Sequence, residues 1–196
     1  MSQVQVPPFV NIYTEASPNP ESLKFVTNFM LIEDGKDYDF TDLASTERSP
    51  LAKMIFEQGG VERVFIMNNF ITVTKKADIT WYEIQQTLRD NIKKHLEEKK
   101  PILLPETQTD GNGEGLFNPE DAETVAQIKG ILDEYIKPAV ESDGGAINFY
   151  SFYDGVVKVE LRGSCSGCPA SAITLKSGIE NLLKRMIPAV QSVESV

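Results

Sequence analysis

The stretch Val156–Pro188 reads VVKVELRGSCSGCPASAITLKSGIENLLKRMIP, and the order of its patterns decides the fold. Val157, Val159 and Leu161 alternate with Lys158 and Glu160, which is the period of a strand with one wet face. Past Pro169 the period changes to that of a helix, with Ala172, Leu175, Ile179, Leu182 and Met186 on one face and Pro188 as its end. Between strand and helix stands Gly163–Ser164–Cys165–Ser166–Gly167–Cys168–Pro169. Two residues between the cysteines let both sulfurs address one centre. Gly167 permits a tight turn and close approach to a bulky ligand. Pro169 suits a first helical turn, where its missing N–H is not needed. The N–H groups and positive dipole end of that helix start favour thiolate over thiol, and would stabilise a negatively charged, thiolate-held cluster.

Working outward, Ile147–Phe152 reads as the strand before this one, joined to it through Tyr153–Asp154–Gly155. Asp143–Gly144–Gly145 is a turn. Before it, Val125, Ile128, Leu132 and Ile136 form a helical stripe that Asn118 caps and Pro119 opens. A short strand near Val190–Val193 closes the sheet. Upstream, the aperiodic run Lys99–Asn118, with two prolines and DGNGEG, reads as a linker. Its glycines are no phosphate loop, since the Lys–Ser/Thr ending and a preceding strand are missing.

Beyond the linker lies a second mixed region. Phe9–Tyr13 and Leu23–Leu31 are strand-like. Ser49–Pro50 starts a helix that Gly59–Gly60 ends. Val61–Met67 and Phe70–Thr74 form a hairpin across Asn68–Asn69. Thr80 and Glu83 make a capping box, with Ile79 and Ile84 as a hydrophobic staple, before the stripe Ile84, Leu88, Ile92, Leu96. Trp81 anchors that helix by packing. The fold class is therefore α/β (α+β): two small mixed α/β domains joined by a flexible linker, at 1–98, 99–117 and 118–196.

Net charge is −10, spread as −3 over residues 1–100, −3 over 101–118 and −4 over 119–196. That disfavours nucleic acid and anionic membranes as partners, which need clustered Lys and Arg. No apolar run approaches a membrane span, and the N-terminus has no basic stretch followed by an apolar core. The expected location is the cytoplasm; a mature organellar form would look the same.

The chain has two cysteines and one histidine. Tetrahedral zinc and the usual iron–sulfur clusters want four protein ligands. His95 lies in the other domain, on the polar side of its helix, and reads as a solvated residue. Four thiolates are reached most simply by a two-fold dimer in which each chain gives Cys165 and Cys168. A site shared across an interface opens easily, which suits transient holding. A CxxC pair alone also fits a thiol–disulfide oxidoreductase or structural zinc.

The surroundings are more specific. Pro138–Ala139–Val140, Asp143–Gly144–Gly145, Gly163-x-Cys165–Ser166–Gly167–Cys168–Pro169, Thr174–Leu175–Lys176, Gly178–Ile179–Glu180 and Ile187–Pro188 closely resemble the NifU-like C-terminal (Nfu-type) iron–sulfur scaffold family. Residues 9–98 resemble the N-terminal domain that accompanies it, through Asn19–Pro20, Leu23–Lys24–Phe25, Ser49–Pro50–Leu51–Ala52, Val61, Val64–Phe65, Phe70–Lys75 and Trp81. The resemblance implies a non-enzymatic scaffold or carrier. It would be a homodimer bridging one cluster, usually 4Fe–4S with 2Fe–2S also suited, through Cys165 and Cys168 of each chain. It also implies upstream donors and apo iron–sulfur client proteins as partners. The N-terminal domain shows no catalytic constellation and reads either as a structural companion or as a module that docks clients.

Overall fold

The computed structural model describes residues 6–33, 35–105, 115–166 and 169–196, with backbone only for 169–174. The chain divides into two units, one on each side of the stretch 106–114.

The first unit is a five-stranded antiparallel sheet. Its strands are β1 (Ile12–Ala16), β2 (Ser22–Thr27), β3 (Asp37–Phe40), β4 (Val61–Met67) and β5 (Phe70–Lys75), in the order β1-β2-β5-β4-β3. The β4–β5 hairpin turns at Asn68–Asn69 as the sequence predicts. Asn68 takes the φ of 47° that asparagine tolerates. Helix α1 (Pro50–Glu57) starts at Ser49, whose hydroxyl accepts from the Ala52 N–H at 3.0 Å and donates to the Ile102 carbonyl at 2.7 Å. Gly59 and Gly60, both at positive φ, turn the chain away from it. A Cβ on Gly60 would touch Ile79 and Ile84, so the two staple residues meet at that glycine.

Helix α2 (Trp81–Glu97) begins with the Glu83 carboxylate accepting from the backbone N–H and hydroxyl of Thr80, at 2.8 and 2.7 Å. These bonds hold the Glu83 carboxyl below its usual range. Trp81 anchors the helix by donating to the Pro20 carbonyl at 3.0 Å. Leu88, Ile92 and Leu96 bury into one core with Phe25, Val64, Ile66, Ile71 and Val73 of the sheet.

Three expectations for this unit change. Phe9 is exposed and precedes the first strand rather than forming it. Strand β3 carries two aspartates, which hide it from a hydrophobic reading; Asp39 pairs with Arg63 of β4 at 2.9 Å. His95 is buried, not solvated: the chain folds back after α2, and its Nε2 lies 3.0 Å from the Pro101 carbonyl. Burial pushes its pKa down, partly countered by that bond. The same segment places Ile102 in the core and donates from the Leu104 N–H to the Arg48 carbonyl.

The second unit is a four-stranded sheet of β6 (Leu116–Phe117), β7 (Gly145–Tyr153), β8 (Val156–Gly163) and β9 (Ser192–Ser195), in that order. β7 and β8 are an antiparallel hairpin, whereas β6 and β9 run parallel to their neighbours. Asp154 and Gly155 both have positive φ, the two-residue turn that matches strand twist. Val157, Val159 and Leu161 face the core, as their alternation predicts.

Asn118 and Pro119 open a 3₁₀ turn that leads into α3 (Ala122–Ile131). A π-helical turn, Leu132–Ile136, follows, and then α4 (Lys137–Ser142), which the sequence reading missed. Pro138 explains the irregular turn. It has no N–H for the Glu134 carbonyl and its ring would clash with that carbonyl in a straight helix, so the backbone widens just before it. Helix α5 (Pro169–Met186) buries Ile179 and Leu183, while Met186 is exposed, which rotates the expected face. Glu180 lies next to that buried face and ties it to β9. Its carboxylate accepts from Lys184 at 2.6 Å and from the Val193 N–H of β9 at 3.0 Å, and both bonds lower its pKa.

Candidate metal centre

The CxxC loop leaves the end of β8, and α5 begins at Pro169, directly after Cys168 in the chain. Of the two predicted ligands, Cys165 is described; Cys168 and Gly167 lie outside the described residues. No group of three or more His, Cys, Asp and Glu able to hold a metal occurs among the described residues. His95 belongs to the first unit's core and hydrogen-bond scheme.

Cys165 sits at 6% exposure in the second unit's core, with Ile147, Leu161 and Ile179 in the same cluster. Backbone geometry shapes its seat. Gly144 has φ 85° and Gly163 has φ 66°, conformations that suit glycine. Gly163 pairs across the sheet with Gly145. A Cβ on Gly145 would stand 2.9 Å from the Cys165 sulfur and 2.7 Å from the Arg162 carbonyl oxygen, so only glycine fits there. The Asp143–Gly145 turn is thus the wall behind the thiol.

Ser164, which stands where the resembled family commonly has Ala and to which the sequence assigns no role, fastens that wall. Its hydroxyl donates to the Asp143 carbonyl at 2.6 Å and its N–H donates to the Gly144 carbonyl at 3.3 Å. The Ser166 N–H closes the loop onto the Gly163 carbonyl at 3.1 Å. Nothing in the sequence signals the Ser164 bond, because it joins residues 21 apart. A thiol in this seat can serve as one ligand on a centre reached through the loop.

Fold and loop together define a two-domain protein with a cysteine pair at a strand-to-helix turn. Comparison with known proteins is specific on both halves. The model described as scaffold protein Nfu/NifU N terminal matches residues 12–99, and that described as NifU-like domain matches residues 128–194. The chain belongs to this Nfu-type scaffold family. The protein named NFU1 iron-sulfur cluster scaffold homolog, mitochondrial, from Drosophila willistoni is 43% identical over 94% of this chain and 63% of its own length. Its namesake from Drosophila persimilis is 42% identical over 94% of this chain and 64% of its own. The chain therefore spans somewhat under two thirds of these relatives. A solution structure of a NifU-like protein from Saccharomyces cerevisiae is 25% identical, with a TM-score of 0.45, and covers 54% of this chain and 94% of its own. The relatives' names place them in mitochondria; in this chain no described helix is long and apolar enough to cross a membrane.

Proposed function

We propose that this protein is a non-enzymatic carrier that receives an iron–sulfur cluster, holds it on Cys165 and Cys168 of each of two chains, and passes it to apo-proteins. The observation that carries the reading is the seat of Cys165 at the strand-to-helix turn of a NifU-like domain. One chain has two thiolates, a cluster wants four, and a second copy supplies the rest. The four-thiolate set favours 4Fe–4S as cargo and accommodates 2Fe–2S.

The chain's own residues do three things for the cargo. Gly145 and the Asp143–Gly145 turn hold one sulfur in place. The start of α5 stabilises the negative charge of the thiolates and of the cluster they hold. The shared interface lets client thiolates replace Cys165 and Cys168 on iron one at a time, so each iron–sulfur bond broken is matched by one formed. The first domain would dock clients, with the tether raising the local concentration of cargo. The oxidoreductase reading gains no support, since a single β8-α5-β9 crossover surrounds the motif and the relatives are named as scaffolds.

The test is transfer. Cluster-loaded protein mixed anaerobically with an apo-ferredoxin should convert it to the coloured, redox-active form faster than free iron and sulfide do, even with a chelator present. Transfer that stops when the chelator is added would count against carriage.

A further inference from the structure

We propose that the Ser164 hydroxyl is a latch: by holding the Asp143–Gly145 turn behind Cys165 it fixes the position from which that sulfur binds and releases the cargo. This rests on the reading of Cys165 as a cluster ligand and names the residue that controls it.

The geometry has three parts. The hydroxyl donates to the Asp143 carbonyl at 2.6 Å, a short bond closed within a residue that is only 2% exposed. Backbone bonds also hold the turn, from Ser164 N–H to Gly144 at 3.3 Å, Asp143 N–H to Ala139 at 3.1 Å and Gly144 N–H to Glu141 at 3.0 Å, and the side-chain bond is shorter than each of these. On the other side of the turn Gly145 has no room for a Cβ against the sulfur. A turn held by Ser164 therefore keeps Gly145 close against the Cys165 side chain, with no space for a Cβ between them. Removing the hydroxyl lets the turn lift, and the sulfur then samples positions toward solvent. The Ser164 oxygen also lies within hydrogen-bond reach of the Cys165 sulfur, at 3.8 Å, so Ser164 positions the thiol both through the turn and by this long contact.

A buried thiol reacts only when the structure around it loosens, and that loosening is governed by the bonds that hold its neighbours in place. Losing one net hydrogen bond raises the open population about fivefold. The experiment uses the full chain with Cys168→Ala, so that Cys165 is the one thiol, and follows its alkylation by iodoacetamide. Adding Ser164→Ala should speed alkylation about fivefold. Val193→Ala, which destabilises the same unit at β9, should leave the rate within about twofold, because it leaves the turn intact. Equal rates with and without the hydroxyl, or a rate that rises as much with Val193→Ala, would overturn the latch.

Protein with both cysteines, reconstituted with iron and sulfide, gives the second readout. Ser164→Ala should change the visible circular dichroism of the cluster and hasten its loss to a chelator, and an unchanged spectrum with unchanged loss would overturn the proposal. If the parent takes up no cluster, the carrier reading fails, and the alkylation comparison alone decides the latch. Should Ser164→Ala not fold, Ser164→Gly removes the same hydroxyl without adding bulk. Faster alkylation than in the parent supports the latch, and an unchanged rate refutes it.

Discussion

Both units of the molecule place glycines at positive φ, but against different things. In the first unit Gly59 and Gly60 end α1 and bring the chain against Ile79 and Ile84, so the unusual backbone serves a hydrophobic core. In the second, Gly144 and Gly163 bring a turn and a loop together around one sulfur. At Gly59 and Gly60 the positive-φ backbone serves packing, whereas at Gly144 and Gly163 it serves the seat of a thiol, with Gly155 left to an ordinary hairpin turn. On that difference rest the proposals that the second unit carries the cargo and the first docks clients.

The largest expected effect breaks the chemical half alone. Cys165→Ala or Cys168→Ala should abolish cluster uptake, read as loss of visible absorbance after reconstitution, while melting of the first unit is unchanged. Loss of folding in the second unit with either variant would point to a structural metal instead. Next comes the packing half. Ile92→Ala empties a fully buried site between helix and sheet and should destabilise the first unit by about 2–5 kcal/mol in urea unfolding. Cluster bound per chain should not change, and a parallel loss of cluster would dissolve the contrast between the units.

Ser49→Ala should cost less, about 1–2 kcal/mol, since it removes a helix cap and the bond to the Ile102 carbonyl together. Hydrogen exchange at the Ile102, Leu103 and Leu104 amides should quicken with it, as that bond ties the segment down. The smallest effect is a pH dependence from His95. Burial lowers its folded pKa below 6.5, so the unfolded chain binds the proton first as pH falls. The stability this contributes is full above pH 6.5 and declines as pH drops from there toward the folded value. Urea midpoints at pH 7.5 and 5.5 should differ more for wild type than for His95→Gln, and a larger difference in the variant would reverse the sign.

Local chemistry made much of this legible. Capping residues at Ser49 and Thr80, the Asn68–Asn69 and Asp154–Gly155 turns, and the alternation of Val157, Val159 and Leu161 each act within a few residues, so the sequence displays them. What stayed hidden depends on distant partners. Strand β3 needs Arg63 to neutralise Asp39. The burial of His95 needs Pro101–Leu104 to fold back. Helix α4 looks forbidden until a widened turn accommodates Pro138. At the site, the cysteine spacing raises the expectation of a ligand pair, but the seat of Cys165 is tertiary: Gly145 meets Cys165 across the hairpin, and Ser164 meets Asp143 across 21 residues. The helical face of α5 also depends on distant partners, since Ile179 and Leu183 bury into the core of the sheet while Glu180 reaches the backbone of β9.

The central claim is that one chain carries half a site. Native mass spectrometry after anaerobic reconstitution with iron and sulfide tests it most directly. The account predicts a species of two chains with one cluster, which falls to single chains when the cluster is removed and is absent in Cys165→Ala. A single chain holding a complete cluster, or a protein that stays colourless and metal-free, would contradict it.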